Sequence, residues 1–174
     1  MKIRPVRTIS RKGQVPRSGS SALSTVRDAF RFRWCATTRV RSGWQVQHEF
    51  SVTQAAPSRA ALEFVHDVLG CGKIVQQTRY DNHKHVLLRF SVKRRSELVG
   101  VVIPFFKEHP LRTAKQLDFE KFASVLQMME DDVHLSDDGL APIASVTETM
   151  NRKQRSRYLE SSEAIRQPSR TTSR

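Results

Sequence analysis

The chain is expected to fold as an α+β domain, a four-stranded antiparallel sheet with helices on one face, in the order β-β-α-β-β-α-α-α behind an irregular N-terminus. Three features point to it. Two pairs of segments alternate apolar and polar residues with period two, as in strands buried on one side. Each pair is followed by apolar residues at helical spacing. The breaks between segments carry turn-forming and capping residues. The 174 residues suffice for one domain with irregular ends, and composition divides them at 1–29, 30–151 and 152–174.

Residues 1–26 are rich in Ser, Arg, Pro and Gly and have neither an acid nor apolar periodicity, a composition typical of disorder. From Phe30, Phe32 and Trp34 alternate with Arg31, Arg33 and Cys35, predicting a first strand. A turn over 37–43 contains Arg39 and Arg41. In the second strand, over 44–54, Trp44, Val46, Phe50 and Val52 face the core, with His48 the imperfect member. Gln45, Gln47, Glu49, Ser51 and Thr53 face away.

Ser58 is a candidate N-cap and Gly70 a candidate stop for a helix whose stripe is Ala61, Leu62, Phe64, Val65, Val68 and Leu69. A second hairpin, roughly 73–79 and 85–92, turns through Asp81-Asn82. Val86, Leu88, Phe90 and Val92 are expected to point inward, and His85, Leu87, Arg89 and Ser91 outward. A helix from Ser96 carries Leu98, Val99, Val102, Ile103 and Phe106, and Pro104 should kink or end it early. Thr113-Ala-Lys-Gln116 reads as a capping box before a helix with Phe119, Phe122, Ala123, Leu126 and Met129 on its stripe. Ser136 is expected to cap a last helix reaching about Asn151, and the tail from Arg152 is polar and basic.

The net charge of +13 is unevenly placed. Residues 1–43 hold eleven Lys/Arg and one acid, and residues 152–174 hold seven and two. In the middle, 73–95 carry seven Lys/Arg against Asp81, whereas 116–138 carry seven acids against Lys121. Packed on opposite sides, these segments would give a basic face suited to phosphates and an acidic back; ordinary surface charge is the simpler alternative. An antiparallel sheet covered on one side leaves its other face open, and Gln, Ser, Thr, Arg and Lys there can reach bases and phosphates in a major groove.

Other classes are set aside. No run approaches the roughly 18 apolar residues of a membrane helix, and no apolar segment at the N-terminus resembles a secretory signal. An organellar transit peptide shares the N-terminal composition, but an amphipathic apolar face is missing. The expected location is the bacterial cytoplasm or an organelle. Cys35 and Cys71 lack zinc spacing and read as reduced thiols, and His83 and His85 have no third ligand. Trp44 and the phenylalanines read as core.

Several segments resemble the single-motif LAGLIDADG homing endonucleases. Gly43-Trp-Gln-Val-Gln-His-Glu-Phe-Ser-Val-Thr-Gln54 is similar to their second strand, and Leu69-Gly-Cys-Gly-Lys73 to the turn after their second helix. Asp81-Asn82-His83, the stretch from Ile103 to Phe119, and His134-Leu-Ser-Asp-Asp-Gly-Leu-Ala141 are similar to later signatures. The resemblance covers about residues 30–157. It implies a homing-endonuclease-like sheet preceded by one further helix, which bears the motif, forms the dimer interface and ends in an acid that holds Mg²⁺.

In this chain that helix is degenerate or missing. With Phe30 aligned to the aromatic that follows the family's acid, Arg27 takes the acid's position. Asp28 is one residue out of register, about 100° around a helix. An arginine there repels the metal, and metal-assisted phosphodiester cleavage needs hard carboxylate ligands, so no metal ligand is assigned. The abrupt loss of resemblance upstream of Phe30 leads us to expect a frameshift, truncated gene or misplaced start in residues 1–27.

By the same resemblance, Gln54 corresponds to a polar residue that positions water. Lys115 corresponds to a basic residue near the scissile phosphate, with Arg112 as its alternate. The outward set expected to meet DNA is Arg31, Arg33, Arg39, Arg41, Gln45, Gln47, Ser51, Lys73, Gln77, Arg79 and Arg89. The implied function is site-specific cleavage of double-stranded DNA, by a homodimer if the N-terminal helix forms, with cleavage impaired here by the missing acid. The alternatives are a non-cleaving DNA-binding remnant, an intron RNA maturase, or an unrelated α+β domain with basic tails.

Overall fold

The computed structural model describes residues 29–40, 42–77, 86–150 and Tyr158. Arg41, Arg79, His83, His85 and the Asp81-Asn82 turn lie outside the described residues. Strands β1 (Phe30–Ala36) and β2 (Trp44–Ala55) run antiparallel, with Phe30 opposite Phe50 and Ala36 opposite Trp44. Their connection closes where Thr37 N–H donates to the Gly43 carbonyl at 2.8 Å, with Gly43 at a φ of 69°. Strands β3 (Lys73–Gln77) and β4 (Leu87–Val92) form the second hairpin. The twelve residues of β2 outrun β1, so its second half pairs with β4, Phe50 meeting Val92 and Ala55 meeting Leu87. The result is one sheet in the order β1-β2-β4-β3.

Helix α1 (Arg59–Leu69) buries Leu62, Val65 and Leu69, which recur at helical spacing. Two details differ from expectation. Ser58 makes no side-chain cap; the chain enters α1 through a 3₁₀ turn, Ala56–Ser58, containing Pro57. Phe64 is 37% exposed, because it lies about 100° around the helix from Val65. Gly70 ends α1 in the left-handed region, its N–H returning to the His66 carbonyl at 2.8 Å. Gly72 has a φ of 85°, and a Cβ there would stand 2.7 Å from the Phe90 ring. The Gly-Cys-Gly turn is therefore set by both backbone conformation and close approach.

Helix α2 is built of three contiguous pieces, Arg95–Glu97, a π-type segment Leu98–Val102, and Ile103–Glu108. Pro104 does not end it. The Ile103 N–H reaches back to the Leu98 carbonyl, and this widened turn puts Pro104 at the start of the next piece, where a missing N–H costs little. Before α3 (Lys115–Glu130) the capping box is half formed. Thr113 Oγ1 accepts the Lys115 N–H at 3.3 Å, but Gln116 Oε1 accepts from Leu111 N–H at 3.0 Å rather than from Thr113. Helix α4 (Asp137–Glu148) is capped as expected, Ser136 Oγ accepting the Gly139 N–H at 3.1 Å, and ends before Asn151.

The core lies between the sheet and the helices. Phe30 is fully buried, its ring 5.2 Å from Phe50, 5.4 Å from Phe106 and Phe119, and 5.3 Å from Phe122. Of the residues expected to point inward, Val86 is instead 48% exposed, since it precedes the first paired residue of β4. Tyr158 stacks on Trp34 with centroids 5.0 Å apart, and Trp34 Nε1 donates to Thr147 Oγ1 at 3.2 Å. Among the described residues, no helix is long and apolar enough to cross a membrane.

Candidate nucleic-acid interface

Strand parity decides which side chains the sheet offers to a partner. Phe30, Trp34, Val46, Phe50, Val52, Leu88, Phe90 and Val92 share the helix-covered face and are buried. The opposite parity holds Arg31 and Arg33 from β1, Gln45, Gln47, Glu49, Ser51 and Thr53 from β2, Arg89 from β4, and Lys73 and Gln77 from β3. Cross-strand register places Arg33 beside Gln47, Arg31 beside Glu49, and Lys73 beside Ser91. Arg33, Gln45, Gln47 and Lys73 are exposed, Arg31 and Gln77 half-buried. Arg39 stands exposed in the β1–β2 connection.

Two of the outward set are tied down. Arg89 Nη2 donates to Glu49 Oε2 at 2.6 Å and to Ser51 Oγ at 3.1 Å. Ser51, only 5% exposed, is the buried polar residue among those described, and it lies beneath this pair rather than at the surface. Sequence periodicity placed Glu49 on this face but gave no sign of its partner; Arg89 is forty residues away and two strands of different hairpins bring them together.

The basic side and acidic back are partly realised. Glu120, Glu130, Asp131 and Asp132 are exposed on α3 and the turn after it, whereas Lys73, Arg89 and Lys93 lie at the sheet. Arg95 departs from this division: it binds the last turn of α3, with Nη1 2.9 Å from the Met129 carbonyl and Nε 2.8 Å from Glu130. A cation at a helix C-terminus meets carbonyls left without helical partners.

Gln54 and Lys115 do not belong to the groove face. Gln54 has the parity of Phe50 and Val52, at the end of β2. Lys115 lines an apolar cavity with Ala29, Phe30, Phe50, Val52, Phe106 and Leu111. The entry to β1, the middle of β2, α2 and the start of α3 thus line one cavity on the helix-covered side of the sheet, and Gln54 is not among its lining residues. Lys115 Nζ is 3.2 Å from Asp118 Oδ2, and both side chains are largely buried. Asp118 was visible in sequence only as one of an acidic run. Arg112, the alternate to Lys115, is exposed.

No three His, Cys, Asp or Glu side chains among the described residues group as a metal site. The carboxylate beside Lys115 is already paired with it, so the described residues do not supply the set of hard oxygen donors Mg²⁺ requires. Cys35 and Cys71 are free thiols. Burial, reinforced by Glu97, pushes the Cys71 thiol up and keeps it protonated. His48, the imperfect member of the β2 stripe, faces the helices. Its pKa is held below 6.5, chiefly by burial and then by Arg95 and His134, against a hydrogen bond to the Lys93 backbone.

The four-stranded sheet with helices agrees with the comparisons. A model described as LAGLIDADG endonuclease matches residues 29–126, more than half of the chain. The chain belongs to the LAGLIDADG endonuclease family. Among similar proteins is the probable intron-encoded endonuclease 2 of Neurospora crassa, 27% identical over 109 residues, which are 63% of this chain and 23% of that protein. The homing endonuclease I-TnaI superposes with a TM-score of 0.69 at 28% identity, over 84% of this chain and 94% of its own. The I-SmaMI LAGLIDADG homing endonuclease bound to cleaved DNA gives 0.71 at 25% identity, over 86% of this chain and 49% of its own. The chain therefore spans less than a quarter of the Neurospora protein, about half of I-SmaMI, and nearly all of I-TnaI. These structures share the four-stranded antiparallel sheet with helices that the periodicity predicted.

Proposed function

We propose that this chain binds double-stranded DNA site-specifically through the open face of its sheet, as one half of a homodimer where its N-terminal helix forms, and that Mg²⁺-dependent cleavage is impaired in this sequence. The observation that carries the binding is the open face itself. Arg33, Gln45, Gln47 and Lys73 stand exposed on one rigid surface, donors and acceptors for base edges beside cations for phosphates. The I-SmaMI homing endonuclease, which shares this fold, has been seen bound to cleaved DNA, and that supports the reading. One sheet covers a half-site, so a second copy is needed for a long, roughly palindromic target.

Gln54 and Lys115 are proposed to act in cleavage from off the open face, Gln54 by holding water and Lys115 by stabilising charge on the scissile phosphate. The missing partner is the acid: Arg27 stands at its position, and the described residues form no carboxylate cluster to replace it. Binding rests on the sheet and survives that loss.

The test is a selection from a randomised duplex library by the full chain at raised salt, where nonspecific contacts to tails weaken most. A recovered consensus, competed by its own duplex far better than by bulk DNA, is expected. Recovery without any consensus, or preferential retention of structured RNA, would overturn the proposal. Supercoiled plasmid bearing the host gene, incubated with Mg²⁺, should show little double-strand cutting; efficient cutting would show the cleavage site to be intact.

A further inference from the structure

Among the described strand residues, the exposed side chains of the open face are polar with one exception. Val75 of β3 is 46% exposed, on the face it shares with Lys73 and Gln77. Leu87 of β4, half-buried, lies diagonally beside it, since the register sets Val75 opposite Arg89 and Leu87 opposite Gln77. Arg89 is drawn toward the other side: its Nη2 donates to Glu49 at 2.6 Å and to Ser51 at 3.1 Å, both on β2. Because β4 lies between β2 and β3, this engagement leads away from the valine. An apolar spot therefore stands open on a surface otherwise built of hydrogen-bonding and charged groups.

Resting on the DNA-binding reading above, we propose that Val75, backed by Leu87, reads the methyl group of one thymine in the half-site. Thymine is the one base whose major-groove edge carries a methyl group. Covering that group with the valine and leucine side chains removes apolar surface from water on both partners. Against the other bases, the same side chain strips water from an amine, carbonyl or ring nitrogen and returns no hydrogen bond. The contact needs no hydrogen-bond donor from Arg89, which is engaged with β2. Size and charge select this occupant. A stable protein partner covers about 800 Å² on each side, far more than one valine and a half-buried leucine offer. Lys73, exposed two residues along β3, supplies a cation for the phosphate that accompanies each base.

The experiment selects a randomised duplex library with the full chain and with Val75→Ser, and measures the thermal midpoint of both. The parent chain is expected to enrich thymine at one position of the half-site. Val75→Ser should reduce that preference by about fivefold or more, the lower end for one mismatched pair, and leave the other positions unchanged. Replacing that thymine by deoxyuridine in the selected duplex deletes the methyl group alone. It should weaken binding by the parent about fourfold, the worth of one buried methyl group, and leave binding by Val75→Ser unaltered. A loss on deoxyuridine that persists in Val75→Ser, or a consensus that the variant shares in full, overturns the proposal while the DNA-binding reading stands. Unchanged DNA selection with lost self-association in sedimentation overturns it too, and assigns the spot to a second copy of the chain. If Val75→Ser melts too low to be assayed, Val75→Gln decides by the same criteria. A parent chain with no consensus at all overturns both readings.

Discussion

Lys115 is held by Asp118 at 3.2 Å and lines a cavity with the entry to β1, which begins three residues after Arg27 in the sequence. If charge near that entry governs cleavage, Arg27→Asp should raise Mg²⁺-dependent nicking of supercoiled plasmid. Adding Lys115→Met to that variant should then reduce nicking by about a hundredfold, the scale of losing one transition-state donor. His48 gives a second test. Its folded pKa lies below 6.5, so folding favours the neutral ring while the unfolded chain takes up its proton near the ordinary value. Its contribution to stability is full above about pH 6.5 and is lost as pH falls through the folded value. The His134 imidazole, shifted down by burial and by Arg95, adds in the same direction. Melting midpoints should fall between about pH 7.5 and about pH 5, and His48→Gln should flatten that fall.

At the scale of elements, β1 is anchored by Phe30, which touches rings from β2, α2 and α3. Phe30→Ala should cost about 3–5 kcal/mol in denaturant unfolding, because the rigid rings around it collapse poorly into the space. Gly139, in the first turn of α4, has no room for a side chain: a Cβ would overlap the Val133 carbonyl oxygen. Gly139→Ala should destabilise the chain by about 1–3 kcal/mol in the same measurement, through forced displacement of the turn before α4. The periodicity in the sequence showed both strands and helices, since period two and period 3.6 are properties of local chain geometry. It did not show the widened turn before Pro104. A proline's local rule ends a helix, and only the packing of Leu98, Val102, Ile103 and Phe106 into one core keeps the two halves joined.

For the whole molecule, charge is divided between the tails and the sheet. The tail over 152–174 carries seven basic and two acidic residues, and its cations add salt-sensitive, sequence-independent attraction to a polyanion. Removing residues 159–174, so that Tyr158 and its contact with Trp34 remain, should lower the slope of log affinity against log salt. The consensus recovered from a duplex library should stay the same, because that information lies on the sheet. A consensus that changed with the tail would place sequence reading outside the sheet.

The sequence by itself determined the order of elements, the inward and outward parity of the strands, the stop at Gly70, the cap at Ser136 and the resemblance carried by residues 43–54 and 103–119. Each of these is written in a short window, where neighbouring residues constrain one another directly. Tertiary structure alone decided that β2 and β4 would join the hairpins, that Glu49 would capture Arg89, and that Gln54 and Lys115 would lie off the open face of the sheet. Those outcomes depend on which strand edges meet and on side chains tens of residues apart. They are fixed by burying one shared apolar face, a condition that no local pattern contains.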